Sequence, residues 1–209
     1  MPRETTITTA TYLSSPGPSH SRAVLEAAVK RAAERQIGLV LVATCSGKTA
    51  LLAREIFPSD VRIIAVTHVA GFAASNTQEL TEENRRALTE RGIPVFTGQH
   101  AFGGVGRAVR NKLNTYQVDE IMAFTLRTFG QGTKVAVEIA LMAADAGLVR
   151  TDQDVIAIGG TAEGCDTALV LQPTNSYRFF DLKVPTGGLP EKHAYRRQFP
   201  KRCRRRRRE

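Results

Sequence analysis

The chain has 209 residues, a formal net charge of +9 and 42% hydrophobic residues. That length fits one domain with a sizeable core, and the ordinary apolar-to-charged balance excludes a fibrous or wholly disordered chain. The charge does not mark a nucleic-acid-binding domain: ten of the 29 Lys and Arg, but only one of the 20 acidic residues, lie in 192–209, so the remainder is balanced.

Residues 1–18 are rich in Thr, Ser and Pro and predict no regular element. Ser19 or Ser21 caps a predicted helix to about Gln36, with Val24, Leu25, Ala28, Val29 and Ala32 as its apolar stripe. Leu39–Ala43 is a short apolar run bounded by Gly38, which predicts a buried strand. A helix is expected from about Gly47 to Ile56, stopped by Pro58, and Val61–Thr67 is a second buried strand. His68–Gln78 is a loop. Glu79–Arg91 predicts a mostly polar surface helix stopped by Gly92, and Ile93–Thr97 a third strand.

Gly103 or Gly104 opens a predicted helix to about Leu113, and Val118–Phe129 is another, broken by Gly130-Gln131-Gly132. Thr133–Ala146 is apolar nearly all round apart from Lys134, Glu138 and Asp145, which predicts a largely buried helix. Asp154–Ile158, Ala168–Leu171 and Phe179–Val184 read as further strands; lacking intervening helices, they should pair as hairpins or antiparallel edges. The alternation implies a three-layer α/β/α sandwich around a mainly parallel sheet. The domain is expected over 19–185, after an N-terminal extension (1–18) and before a linker and disordered basic tail (186–209).

Cys45, Cys165 and Cys203 share no short spacing, so neither a zinc pattern nor an even disulfide framework is present, and a reducing compartment is implied. Met1 to Gly17 lacks the apolar core of a signal peptide, and no run approaches the length of a membrane span. The expected location is the cytoplasm, with no membrane partner.

The segment with the clearest chemistry follows the first strand. Thr44, Cys45, Ser46, Gly47, Lys48 and Thr49 lead from an apolar run into a helix start. Helix starts present unpaired N–H groups and the positive end of the dipole. Gly47 allows close approach, the hydroxyls are donors and Lys48 is a cation, so the segment reads as a phosphate cradle. The bland alternative is a capped strand-to-helix turn. A Walker A loop does not fit, because Val42 stands where that motif needs glycine. If the first strand and Asp154–Ile158 are central neighbours, the Gly159–Thr167 loop faces the cradle where strand order reverses. Gly159, Gly160 and Thr161 are then ligand candidates, with Glu163 and Asp166 suited to sugar or ribityl hydroxyls. The competing reading is a glycine-rich turn.

Other candidates sit at strand ends. His68 suits general acid–base work or donation to phosphate, Phe72 suits ring stacking, and Gly71 lies between them. His100 is similarly placed. Gln131, with Gly132 and Thr133, opens the buried helix and would form a second anion site, and Arg127 is a further ligand contact. Each of these residues has a structural alternative as a loop, cap or core residue. Cys45 at a helix start is either a reactive thiol or a small filler. No clustered carboxylates accompany these histidines, so no metal site is expected.

Thr44 to Ala50, followed by Pro58 and Ile63-Ile64-Ala65-Val66-Thr67, resembles the C-terminal α/β domain of pyruvate kinase. The resemblance implies that the T-x-S-G-x-[ST]-A loop holds a phosphate, as it does for that domain's allosteric sugar bisphosphate. The Gly159–Thr167 loop resembles that domain's late effector loop less closely. Over roughly residues 10–185 the chain is similar to small stand-alone proteins, mostly archaeal and bacterial, that carry this domain without an agreed activity. Thr67 to Phe72, Phe129 to Gly132, Lys134 to Leu148 and Ile156 to Thr161 carry that similarity. The residues leave no room for the catalytic barrel, so pyruvate kinase activity is not expected.

The resulting expectation is a binding protein for a phosphorylated small molecule, either a sugar phosphate or flavin mononucleotide (FMN), possible also as a homo-oligomer. One alternative is an enzyme acting on a phosphorylated substrate, with His68 or Glu163 transferring protons. The other is nucleic-acid association through the basic tail, Arg204 to Arg208.

Overall fold

The computed structural model describes residues 10–185. The expected linker and basic tail, 186–209, therefore lie outside the described residues, as does the first half, 1–9, of the expected N-terminal extension. A short 3-10 turn at Pro18–His20 leads into α1 (Ser21–Arg35), which buries Val24, Leu25, Ala28 and Ala32 as their helical spacing requires. Gln36 in the left-handed region ends α1 and turns the chain into β1 (Leu39–Ala43).

The following elements are α2 (Lys48–Ile56), β2 (Arg62–Thr67), α3 (Glu82–Glu90) and β3 (Val95–Thr97). Then come α4 (Val105–Leu113), α5 (Val118–Arg127), α6 (Gln131–Asp145), β4 (Val155–Gly159) and β5 (Thr167–Leu171). The strands form a single sheet in the order β3-β2-β1-β4-β5. β1 pairs parallel to both β2 and β4, β2 pairs parallel to β3, and β5 closes the β4 side antiparallel. The expected mainly parallel sheet with an antiparallel edge is thus observed.

Strand periodicity divides the core into two layers. Val40, Val42, Ile63, Ala65, Ile156 and Ile158 pack with α1, α2 and Leu88 of α3 on one face. Leu41, Ile64, Val66, Val155 and Ala157 pack against α6 on the other. A third cluster joins Phe102, Ala123 of α5 and Val137 and Leu141 of α6. Because α6 meets both the sheet and α5, it buries ten of the eleven residues from Lys134 to Ala144, missing only Val135. No described helix is long and apolar enough to cross a membrane.

Several boundaries depart from the sequence reading, β3 starting two residues late at Val95 and α5 ending two early at Arg127, and three departures have an identifiable cause. The helix expected from Glu79 starts at Glu82, because the Thr81 hydroxyl accepts the Asn84 N–H at 3.3 Å and caps it there. Glu79 therefore lies in the loop. The buried helix begins at Gln131, two residues early, because Gly130 at φ 114° makes the turn ahead of it. The strand expected at Phe179–Val184 is absent. Ser176–Asp181 forms a 3-10 turn, held where Asp145 accepts the Ser176 N–H at 2.9 Å. Phe179 packs edge-to-face on Phe102 at 5.7 Å between centroids, and only the Gln172–Lys183 bridge retains strand pairing. Core packing of one aromatic outweighed the β propensity of the run.

Candidate functional site

Strand order reverses between β1 and β4, and β1, β2, β3 and β4 run parallel, so their carboxyl ends share one edge. In open α/β sheets this edge is where ligands bind. The loop after β1 is tightly held. Thr44 N–H continues the ladder to Val66 at 2.9 Å, and the Thr44 hydroxyl accepts the Gly47 N–H at 3.0 Å. Asn84 of α3 donates its side-chain amide to the Ser46 carbonyl at 2.7 Å. Gly47 adopts φ 93°, and a Cβ there would lie 2.8 Å from Leu80 Cδ1.

With Gly47 as cap, the N–H groups of Lys48, Thr49 and Ala50 have no acceptor within α2. The first turn of α2 carries no acidic residue, and Lys48 is exposed. Ser46 is half-buried and Thr49 buried.

Cys45 turns toward the end of β2. Its Sγ stands 3.3 Å from Nε2 and 3.4 Å from Nδ1 of His68. A sulfur equidistant from both ring nitrogens lies along neither lone-pair direction, so this is not an aligned thiol–imidazole pair. Burial, reinforced by the charge of Glu79, pushes the Cys45 thiol up to about 11. The bare thiol is thus protonated at neutral pH, the reverse of activation at a helix start. Glu79 Oε2 lies 2.6 Å from His68 Nδ1.

The His68 ring also packs on Phe72 at 4.2 Å and on His100 at 5.3 Å between centroids, and Phe72 lies 5.1 Å from His100. Phe72 keeps 43% of its surface exposed, while the Arg107 guanidinium sits 5.8 Å from its centroid. Gly71, at φ 84°, lets the exposed loop turn, its N–H bonding to Thr77 O at 2.8 Å. Arg107 Nε is buried without a hydrogen-bond partner among the described residues. Cys45, His68, Phe72, His100 and Arg107 thus form a continuous band across the ends of β1, β2 and β3.

Beneath the band lies the Lys134–Glu138 pair, Nζ to Oε2 at 2.5 Å, with both side chains 6% exposed. Glu138 Oε1 also accepts the Phe102 N–H at 3.0 Å. Burial holds Lys134 below the usual lysine value, opposed by Glu138. Burial likewise lowers His100 from 6.5; Glu138 opposes this, and His68, Lys134 and Arg107 add to it. His100 Nε2 accepts the Val69 N–H at 3.3 Å, so protonation there breaks a bond.

The lower proton affinity belongs to the folded state. Stability linked to His100 is therefore present above pH 6.5 and lost as pH falls through the folded-state value. Urea unfolding between pH 5 and 7 is expected to show this decline, and His100→Gln to flatten it. An unchanged profile in His100→Gln would refute the assignment.

The remaining candidates make contacts within or beside their own turns. Asp166 accepts the Thr161 N–H at 3.0 Å and the Thr167 hydroxyl at 2.8 Å, and its N–H bonds to Gly159 O at 3.1 Å. A Cβ at Gly159 would lie 2.6 Å from Gly132 O, and one at Gly160 2.7 Å from Gly164 O. These glycines let backbones approach closely, and Asp166 closes its loop internally. Glu163 is exposed. Gln131 Oε1 accepts Arg127 Nε at 2.7 Å. Sequence reasoning missed Glu79, read as helical, and Arg107, which carries no motif signal.

A family model described as "Pyruvate kinase, alpha/beta domain" matches residues 22–171. Among solved structures, a pyruvate kinase from Cryptosporidium parvum is 18% identical, with 74% of this chain and 23% of that one covered and a TM-score of 0.41. The same organism's pyruvate kinase in complex with ADP is 19% identical over 74% of this chain and 24% of that one, at a TM-score of 0.40. The chain thus spans about a quarter of the length of these pyruvate kinases.

Proposed function

We propose, on the premise that this chain belongs to the pyruvate kinase alpha/beta domain family, that it binds a phosphorylated small molecule across the carboxyl ends of β1 to β3. The observation that carries this reading is the open start of α2. Three first-turn amides lack helical acceptors, no acid stands in that turn, and Lys48 is exposed beside them. Amides and dipole there favour a dianion. Thr49 and Ser46 add hydroxyls at the same loop.

Phe72 supports an organic body beside the phosphate. It is partly exposed and in tilted contact with the His68 ring, so a flat ring such as that of FMN, or the apolar face of a sugar, would find an aromatic surface. The unpartnered Nε of Arg107 suits a second anionic or carbonyl group. No general acid or nucleophile is required for binding of this kind.

Calorimetric titration of the full chain with FMN and with a sugar bisphosphate, each against its dephosphorylated counterpart, tests the reading. Binding is expected for a phosphorylated member only, and Lys48→Ala is expected to weaken it by about tenfold, the loss of one charge-assisted contact. Equal binding of riboflavin and FMN, or of free and phosphorylated sugar, would overturn it, as would an affinity unchanged by Lys48→Ala.

A further inference from the structure

We propose that Cys45, His68 and Glu79 form a three-ligand site for a divalent cation of the zinc class. The three residues come from the β1–α2 loop, the end of β2 and the β2–α3 loop, and one donor atom of each lies within 4.8 Å of the other two. All three are half-buried. The inference stands on this donor set and does not depend on phosphate binding.

The chemistry of the set is selective. Thiolate, imidazole and carboxylate together suit zinc, a borderline-soft ion that takes sulfur, nitrogen and oxygen. Calcium and magnesium prefer oxygen alone. Three protein ligands leave a fourth position for water or a ligand atom, the pattern of catalytic rather than structural zinc. Binding displaces the Cys45 thiol proton to solvent, and the thiolate and carboxylate then match the ion's two charges.

The spacings are close to those needed. Two ligand atoms on one tetrahedral zinc stand about 3.3–3.6 Å apart. With His68 Nδ1 as the ligand atom, Cys45 Sγ stands 3.4 Å from it, and the 2.6 Å contact of Glu79 with the same nitrogen opens as the cation takes the place of the proton there, the neutral ring then carrying its proton on Nε2. The imidazole must also turn to aim a lone pair at the ion, since Sγ now lies off both.

Hydrogen bonds hold the backbone that carries the three residues. The Gln78 side-chain amide donates to His68 O at 3.1 Å, and its carbonyl accepts the Leu80 N–H at 3.1 Å. Gln78 thereby ties the backbone on either side of Glu79 to that of His68. The Thr67 hydroxyl donates to His68 O at 3.0 Å, and the Thr44 ladder bond to Val66 holds the segment bearing Cys45. Phe72 and His100 pack on the His68 ring.

The test uses the full chain carrying Cys203→Ser, which removes the one thiol outside the described residues, after chelator treatment. Zinc affinity is measured by competition with a chromophoric chelator, and cobalt binding by absorbance. One zinc per chain is expected, with an intense near-ultraviolet sulfur-to-cobalt band that Cys45→Ser abolishes. His68→Gln and Glu79→Gln are each expected to weaken zinc binding by at least about tenfold, with far-ultraviolet circular dichroism confirming that each variant is folded. The cobalt band is read on protein with all three ligands intact, so it does not depend on the variants folding. Absence of stoichiometric zinc, cobalt bound without the sulfur band, or an affinity unchanged in folded His68→Gln or Glu79→Gln would overturn the proposal.

Discussion

Gly47→Val is expected to destabilise the protein by about 2–5 kcal/mol, combining a left-handed backbone with an overpacked contact. Gly47 adopts φ 93°, and its missing Cβ would lie 2.8 Å from Leu80 Cδ1, 3.1 Å from Asn84 Cβ and 3.4 Å from Leu88 Cδ1. The flexible end of Leu80 has little room to retreat, because Leu80 and Leu88 are themselves buried at 4% and 0% exposure. Asn84 cannot swing away without giving up its bond to the Ser46 carbonyl. The same change should therefore displace the loop that presents the α2 amides and, on the proposed function, abolish binding of a phosphorylated ligand. Gly38→Ala is the control: nothing lies within 4 Å of its Cβ position and its φ is not left-handed, so its effect should stay within about 0.5 kcal/mol. Urea unfolding of both variants decides the matter. A loss below about 1 kcal/mol for Gly47→Val would show that α3 is not closely packed on this loop.

The turn between β1 and α2 and its glycine were legible because their signal is local. An apolar run meeting small hydroxyl residues and glycine reports strand, turn and helix start within a dozen residues. The parallel core was legible for the same reason. Val40 to Val42, Ile63 to Val66 and Val155 to Ile158 are apolar throughout because helices cover both faces of the sheet. The neighbouring placement of β1 and β4 needed only the assumption that two such strands are central.

The band of side chains across the sheet edge was less legible, because it depends on segments distant in sequence. His68 and Phe72 were singled out by their position after a strand, but Glu79 meets His68 from a loop, because Thr81 caps α3 two residues beyond it. Helix propensity is high through Glu79–Arg91, and a three-residue error in the start hides the carboxylate. Gly159–Thr161 shows why a glycine signal is ambiguous. Glycines that suit a ligand loop suit close packing of two backbones equally well, and only the proximity of Gly132 distinguishes them. The Phe179-Phe180 pair carried strand propensity, while the tertiary contact of Phe179 with Phe102 directed the backbone into a 3-10 turn instead.

The Lys134–Glu138 pair was visible from its i,i+4 spacing, but its burial was not, and burial sets the size of its effect. On a solvent-facing helix such a pair contributes about 0.3–0.5 kcal/mol. Here both side chains are 6% exposed, so Lys134→Met is expected to cost about 3–5 kcal/mol, by leaving Glu138 charged and uncompensated in the core. The neighbours offer no substitute cation without rearrangement, since Arg127 already engages Gln131 and Arg107 packs against Gly103. Adding Glu138→Gln to Lys134→Met should recover most of the loss. The amide carbonyl can still accept the Phe102 N–H that Glu138 Oε1 now takes at 3.0 Å, and the stranded charge is gone. Glu138→Leu in the same background should recover less, by about 1–3 kcal/mol, because it orphans that buried N–H. Acid should also narrow the gap between Lys134→Met and the parent protein, since protonation removes the uncompensated charge, whereas at pH 8 the gap should be widest. Denaturant unfolding of the single and two double variants at pH 5 and pH 8 separates these terms. A Lys134→Met loss below about 1 kcal/mol, or equal recovery by Gln and Leu, would mean that water reaches Glu138 and that the pair beneath His100 and Phe102 is a solvated surface bridge.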